Sequence, residues 1–142
     1  MQIELDKFIN KKILITGGTG YLGTGLCKKI SNIDCEVLVL SRHSNQKKII
    51  GSKANFKYIV DDIVRTDTWK VVLKDVDYVF HLAGMEFDRN NFNHLKNLEV
   101  NFTSVVNMLK TCEEFKYKPV IIFSSSSNVA GGVINHTVSE KD

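Results

Sequence analysis

Short, nearly unbroken apolar runs alternate along this chain with longer stretches in which apolar side chains recur every three or four positions. The runs are Lys12–Thr16, Glu36–Leu40, Lys57–Val60, Tyr78–Leu82 and Val120–Ser124. Hydrophobicity that is continuous rather than alternating implies strands covered on both faces, the situation of a parallel sheet. The helical patterns between them fall near Tyr21–Ser31, Ser44–Ile50, Thr66–Lys74 and Asn91–Phe115. The last carries Phe92, Leu95, Leu98, Phe102, Val105, Leu109 and Cys112 at helical spacing, and Pro119 stops it before the fifth run. Strands and helices in strict alternation predict an α/β fold with a doubly wound parallel sheet. Right-handed crossovers then place ligands at the carboxyl ends of the strands.

Composition narrows the class without changing that picture. With 142 residues, 43% hydrophobic and 25% charged, the chain suits one soluble domain with a real core. The net charge of +3 is mild, and Lys11-Lys12, Lys28-Lys29 and Lys47-Lys48 are pairs rather than a run. That distribution reads as solvated faces, not a nucleic-acid surface. Glu4, Asp6 and Lys7 interrupt the N-terminus, so it lacks the apolar core of a signal peptide. No stretch approaches the roughly 20 apolar residues of a membrane span. Cys27, Cys35 and Cys112 form no CxxC pair, which points to reduced thiols and a cytoplasmic location. His43, His94 and His136 show no ligand spacing, so no metal site is expected.

The candidate chemistry begins where the first strand ends. Gly17, Gly20 and Gly23 follow Ile13-Leu14-Ile15-Thr16 directly and open a helix. Glycines there let the backbone turn sharply and approach a ligand, while free N–H groups at the helix start face an anion. The dipole alone favours that anion by about 0.3–1 kcal/mol. A phosphate loop of the Walker type is excluded, because Thr24 stands where its lysine is needed. The turn therefore reads as a dinucleotide site. The second strand ends in Leu40-Ser41-Arg42-His43, without the carboxylate that accepts from an NAD ribose. Arg42 can instead pair with a 2′-phosphate, with Ser41 adding a hydroxyl, which favours NADP(H) with NAD as the alternative.

These residues carry a resemblance. Thr16-Gly17-Gly18-Thr19-Gly20-Tyr21-Leu22-Gly23 resembles the TGxxGxxG turn of the extended short-chain dehydrogenase/reductases, the NAD(P)-dependent epimerase/dehydratase family. Asp77 to Gly84 resembles the family's fourth strand, and Asn97-Leu98-Glu99-Val100-Asn101 its helix with a characteristic Asn. Ile121 to Ser126 resembles its fifth strand, which ends in the active-site serine. The likeness runs from Lys11 almost to the end of the chain and implies a Rossmann fold. It implies that Tyr21 and Leu22 in the turn, Asp62 and Ile63 at the adenine, Leu82, Ala83 and Gly84 at the ribose, and Asn101 belong to the cofactor site. Asp61 is the register rival of Asp62. Ser126 is the implied catalytic serine, hydrogen-bonding the substrate during hydride transfer. His81 reads as a core histidine bonded to backbone rather than a general base.

The chain also departs from the family pattern. Val129-Ala130-Gly131 stands where the family has Val-Tyr-Gly. The family's Tyr-x-x-x-Lys pair belongs some two dozen residues past Ser126, beyond Asp142. The resemblance thus implies an NAD(P)-binding domain over residues 1–142 without the C-terminal substrate domain, inactive alone. The complete enzyme is expected to act by hydride transfer, most commonly on a nucleotide-sugar, with ketone or aldehyde reduction as the alternative. Two other readings are a non-catalytic NADP(H)-binding module and an interaction module. The family's habit of dimerising through the long helix implies a homodimer through residues 91–115. The fifth strand is expected to form an exposed edge prone to pairing.

Overall fold

The computed structural model describes residues 5–43, 53–85 and 93–125. Its centre is a parallel sheet in the order β3-β2-β1-β4-β5, the doubly wound arrangement that the alternation predicts. The strands are β1 (Lys12–Thr16), β2 (Glu36–Ser41), β3 (Asn55–Val60), β4 (Tyr78–His81) and β5 (Val120–Phe123). β1 pairs with both β2 and β4, so Thr16 lies level with Leu40 on one side and His81 on the other. The chain order reverses there, and the two connections leaving the sheet on either side of β1 part to leave a crevice. Helix α1 (Tyr21–Ile30) follows β1, and α2 (Thr66–Val72) follows β3. The helix expected over Ser44–Ile50 lies outside the described residues.

Alternate side chains of the central strands feed two separate cores. Leu14, Leu38, Leu40 and Val79 pack under Trp69, Val72 and Leu73 of the α2 region and Met108. Ile13, Ile15, Val37 and Val39 pack under Cys27 and Ile30 of α1 and under Phe8. Phe8 belongs to a 3₁₀ turn at Leu5–Phe8 and meets Tyr78 edge-on, ring centroids 5.0 Å apart, with Phe80 at 5.9 Å. At the opposite end of the sheet from the crevice, the Asp77 carboxylate accepts from the Lys12 N–H (2.9 Å) and Lys11 Nζ (3.1 Å). Those donors, the backbone N–H first, hold its pKa below the usual carboxylate range.

Continuous burial holds for β1 and β2 but not for the rim. β3 begins at Asn55, before the expected Lys57, and alternates in exposure, while Val120 and Phe123 of β5 are more than half exposed. Both are outer strands, each paired on one side only among the described residues. The apolar residues of β3 and β5 mimicked a central strand because a sheet edge and a sheet centre can share composition.

The long helix differs more. Asn93 caps it, its side chain accepting from the Lys96 N–H at 2.9 Å, so the described helix begins at His94, and Asn91 and Phe92 of the expected span lie outside the described residues. Helix α3 (His94–Leu98) runs through a π-helical turn (Glu99–Thr103) into α4 (Ser104–Phe115). The face against the sheet is Val100, Ser104, Met108 and Thr111, not the leucine stripe. Ser104 and Thr111 tolerate burial because their hydroxyls donate to the carbonyls of Val100 and Asn107 one turn back. Leu95, Leu98, Phe102 and Leu109 are at least half exposed. Among the described residues no helix is long and apolar enough to cross a membrane.

Phe8→Ala removes the ring that covers Tyr78 and Phe80. We expect it to lower unfolding stability by about 3 kcal/mol, seen as a lower urea midpoint at unchanged m-value.

Candidate functional site

The site is built from four connections at the carboxyl ends of the strands. The first is the glycine turn. Gly17 has φ +65°, its N–H donates to the Leu40 carbonyl (3.0 Å), and its carbonyl accepts from the Gly20 N–H (2.9 Å). A Cβ on Gly17 would stand 2.8 Å from the Ala83 nitrogen, so the turn after β1 and the loop after β4 touch through bare backbone. Gly23, in the first turn of α1, is buried against the Gly17 carbonyl and Gly18, where a side chain has no room. Gly20 precedes α1 and gives it no side-chain cap. The first N–H groups of the helix therefore still need an acceptor, and an anion suits them.

The other connections face that turn across a crevice of about 230 Å³. Its wall includes Gly17, Thr19 and Gly20; Leu40 to His43; Asp61, Asp62 and Ile63; Leu82, Ala83 and Gly84; and Val100 from the π-helical turn. Nine of the residues picked out in the sequence thus come together: Gly17, Gly20, Ser41, Arg42, Asp62, Ile63, Leu82, Ala83 and Gly84. Tyr21 and Leu22 are 95% and 63% exposed, on the outer side of the first helical turn. Asn101 stands behind the β4 loop with its side chain on Met85. Ser126 lies outside the described residues. Thr16, Thr19, Leu40 and Val100 were not picked out as site residues; Val100 lies in the π-helical turn and reaches the crevice from the helix face that packs on the sheet.

The two aspartates after β3 differ in role. Asp61 Oδ1 accepts from the Asp62 N–H (2.8 Å) and from Arg65 Nη1 (3.4 Å). The backbone donor chiefly, and Arg65 more weakly, hold its carboxyl below the usual range. Asp62 Oδ1 accepts from the Val64 N–H at 3.1 Å. Ile63 is fixed from below, its carbonyl accepting from the Trp69 indole N–H at 2.8 Å. On the β2 lip the Ser41 hydroxyl donates to the His43 carbonyl (3.0 Å), while Arg42 is exposed.

Beneath the crevice floor lies a polar pair. The Thr16 hydroxyl accepts from the Ala83 N–H (3.1 Å) and sits 3.0 Å from His81 Nδ1. That hydroxyl hydrogen then serves Nδ1, which puts the ring proton on Nε2, a buried atom without a hydrogen-bond partner. The imidazole is 1% exposed, stacked at 5.7 Å on Phe123 and beside Trp69. Burial pushes its pKa down from 6.5 to about 4. It is a core histidine, held by a side-chain hydroxyl rather than by backbone. Among the described residues no cluster of three metal-ligating side chains occurs.

The comparisons agree with this geometry. Residues 13–142 match the NAD dependent epimerase/dehydratase family, and the chain belongs to it. It is 27% identical to UDP-glucose 4-epimerase of Rickettsia bellii (strain OSU 85-389), covering 86% of this chain and 38% of that protein. It is 30% identical to dTDP-D-glucose 4,6-dehydratase of Dictyostelium discoideum, covering 91% and 32%. Among solved structures it resembles UDP-N-acetylglucosamine 4-epimerase from Methanobrevibacter ruminantium M1 in complex with UDP-N-acetylmuramic acid, with TM-score 0.78 and 27% identity over 94% of this chain and 44% of that one. The chain thus spans between about a third and under half the length of these relatives.

A histidine whose folded pKa lies below its unfolded value stabilises the fold fully above pH 6.5 and progressively less as pH falls toward 4. We expect a loss on the order of 3 kcal/mol across that window. Urea midpoints measured from pH 8 to pH 4 should fall, and less steeply in His81→Gln.

Proposed function

We propose that residues 1–142, as part of a member of this family, form the dinucleotide-binding portion of an enzyme that modifies nucleotide-sugars by hydride transfer. The observation that carries the reading is the contact of Gly17 with Ala83 beside the uncapped start of α1. Side chains are excluded where a pyrophosphate needs backbone N–H groups within reach. Tyr21 and Leu22 would contribute through their backbone at the helix start, Asp62 and Ile63 would hold the adenine, and Leu82 to Gly84 would meet the ribose. Ser126 would orient the substrate. The substrate pocket and the Tyr-x-x-x-Lys acid/base pair would come from polypeptide beyond these residues. The epimerase and dehydratase relatives, each named for a nucleotide-sugar, support that substrate class.

NADP(H) is the proposed cofactor form. Arg42 stands on the β2 lip, where Leu40 to His43 include no carboxylate, and of the two aspartates that share the crevice wall Asp61 is already engaged by the Asp62 N–H and Arg65. The same preference favours carbonyl reduction as the second reading of the whole enzyme. Free Cys27, Cys35 and Cys112 support a reducing, cytoplasmic setting.

Titration with NADPH and NADH, followed by the transfer of protein fluorescence to the reduced nicotinamide, tests both points. NADPH should bind more tightly, and Arg42→Ala should weaken NADPH about tenfold while leaving NADH unchanged. Gly17→Ala should abolish binding of both, through its left-handed backbone and the Ala83 contact. Equal affinities for the two forms would overturn the NADP(H) preference alone.

Self-association through α3 and α4 is part of the same proposal, since Leu95, Leu98, Phe102 and Leu109 form an apolar stripe facing water. Phe102→Asp should move the sedimentation-equilibrium mass from dimer toward monomer. A wild-type chain that stays monomeric at high concentration counts against it.

A further inference from the structure

The turn between β3 and α2 forms one wall of the crevice, and its residues are held in two ways. The two aspartates are tied within the turn: Asp61 Oδ1 accepts from the Asp62 N–H (2.8 Å), Asp62 Oδ1 from the Val64 N–H (3.1 Å), and the Asp62 carbonyl from the Arg65 N–H (3.1 Å). Ile63, between them, is held from beneath. Its carbonyl accepts from the Trp69 indole N–H at 2.8 Å, a buried bond that spans six positions and ties the turn to α2. The Val64 carbonyl has a looser tie to Asn107 Nδ2 of α4, at 3.5 Å.

Trp69 is a firm anchor. It is fully buried in the core that holds Leu14, Leu40 and Val79, with its ring 5.7 Å from that of His81. An apolar ring or a leucine can fill core volume. What tryptophan alone adds is a donor on the rim of a large apolar body. Here that donor meets the backbone of a residue that lies in the core and on the crevice wall at once. Without it the Ile63 carbonyl loses a partner in a place closed to water, and the turn has to shift to recover one.

We infer that Trp69 is a positioning residue for adenine recognition, its indole N–H fixing Ile63 and thereby the aim of the neighbouring Asp62 carboxylate, without touching the ligand. The inference rests on the dinucleotide reading above, in which Asp62 and Ile63 hold the adenine, but the anchor itself is open to a measurement that needs no ligand. Trp69 is the one tryptophan of the chain, so growth on its benzothiophene analogue replaces the N–H by sulfur and keeps the bicyclic shape. Trp69→Phe is the encoded counterpart. In both, amide exchange at Val64 and Arg65, followed by NMR on the ligand-free chain, should accelerate about tenfold, with amides of β1 unchanged. Calorimetric titration then compares NADPH with its hypoxanthine analogue, which carries a carbonyl in place of the exocyclic amine. The unsubstituted chain should prefer adenine about tenfold, and both variants should lose that preference by binding NADPH more weakly and the hypoxanthine form about as before. Unchanged exchange overturns the anchor. Faster exchange with the preference intact, or an equal loss of both nucleotides, overturns the positioning role. An unsubstituted chain that binds both forms equally removes the adenine contact on which the role depends. If it binds neither, the functional reading fails and the role falls with it, whatever the exchange data show.

Discussion

Everything at the carboxyl end of this sheet depends on two backbones meeting with nothing between them. Gly17 and Ala83 approach so closely that a single methyl on Gly17 would lie 2.8 Å from the Ala83 nitrogen. The contact holds the turn after β1 against the loop after β4, and both line the crevice together with the ends of β2 and β3. It also explains the positive φ at Gly17: the chain must leave β1 sideways, toward Leu40, to clear the β4 loop. A left-handed residue at that point is nearly cost-free only for glycine. The buried Gly23 then lets α1 start close to the turn, so that its unpaired N–H groups face the same space.

Much of this was legible in the sequence. The strand runs, the crossover order and the glycine spacing each followed from a local rule: unbroken hydrophobicity, helical period, and the need for φ > 0. What the sequence concealed was direction. Phe102, Leu98 and Leu95 repeat at helical spacing and look like a core face, yet they point to water, while Ser104 and Thr111 point inward. Periodicity reports that a helix has an apolar stripe and is silent on whether the sheet or another surface covers it. Hydroxyls that bond back along their own helix remove the penalty that ordinarily keeps polar residues out. The edges were hidden for a similar reason, since Val120–Phe123 has the composition of a central strand and a neighbour on one side only among the described residues.

The site residues separate along the same line. Those that act by what they lack, the glycines, were readable because absence of a side chain has a short list of causes. Val100 was not, because a buried apolar residue on a helix reads as core whether or not it also lines a crevice. Asn101 was singled out by resemblance alone, and the structure supplies the physical reason for an amide there: a residue of the β4 loop whose N–H and carbonyl both need a partner.

The Thr16–His81 pair joins these themes. Two polar side chains sit fully buried at the level where the β ladder gives way to the crevice. An all-apolar pair would pack there as well, but it would leave the Ala83 N–H without an acceptor just where that backbone must be held against Gly17. The Thr16 hydroxyl supplies the acceptor, and its own hydrogen then needs a home, which His81 Nδ1 provides. The His81 carbonyl in turn accepts from the Ser124 N–H (3.3 Å) and hydroxyl (3.2 Å), so the same residue fixes where the chain leaves β5. A buried imidazole with one unpartnered nitrogen is a poor stabiliser by itself. Its value lies in aligning the ends of β1, β4 and β5, the three strands whose loops must keep their positions if anything is to bind above them.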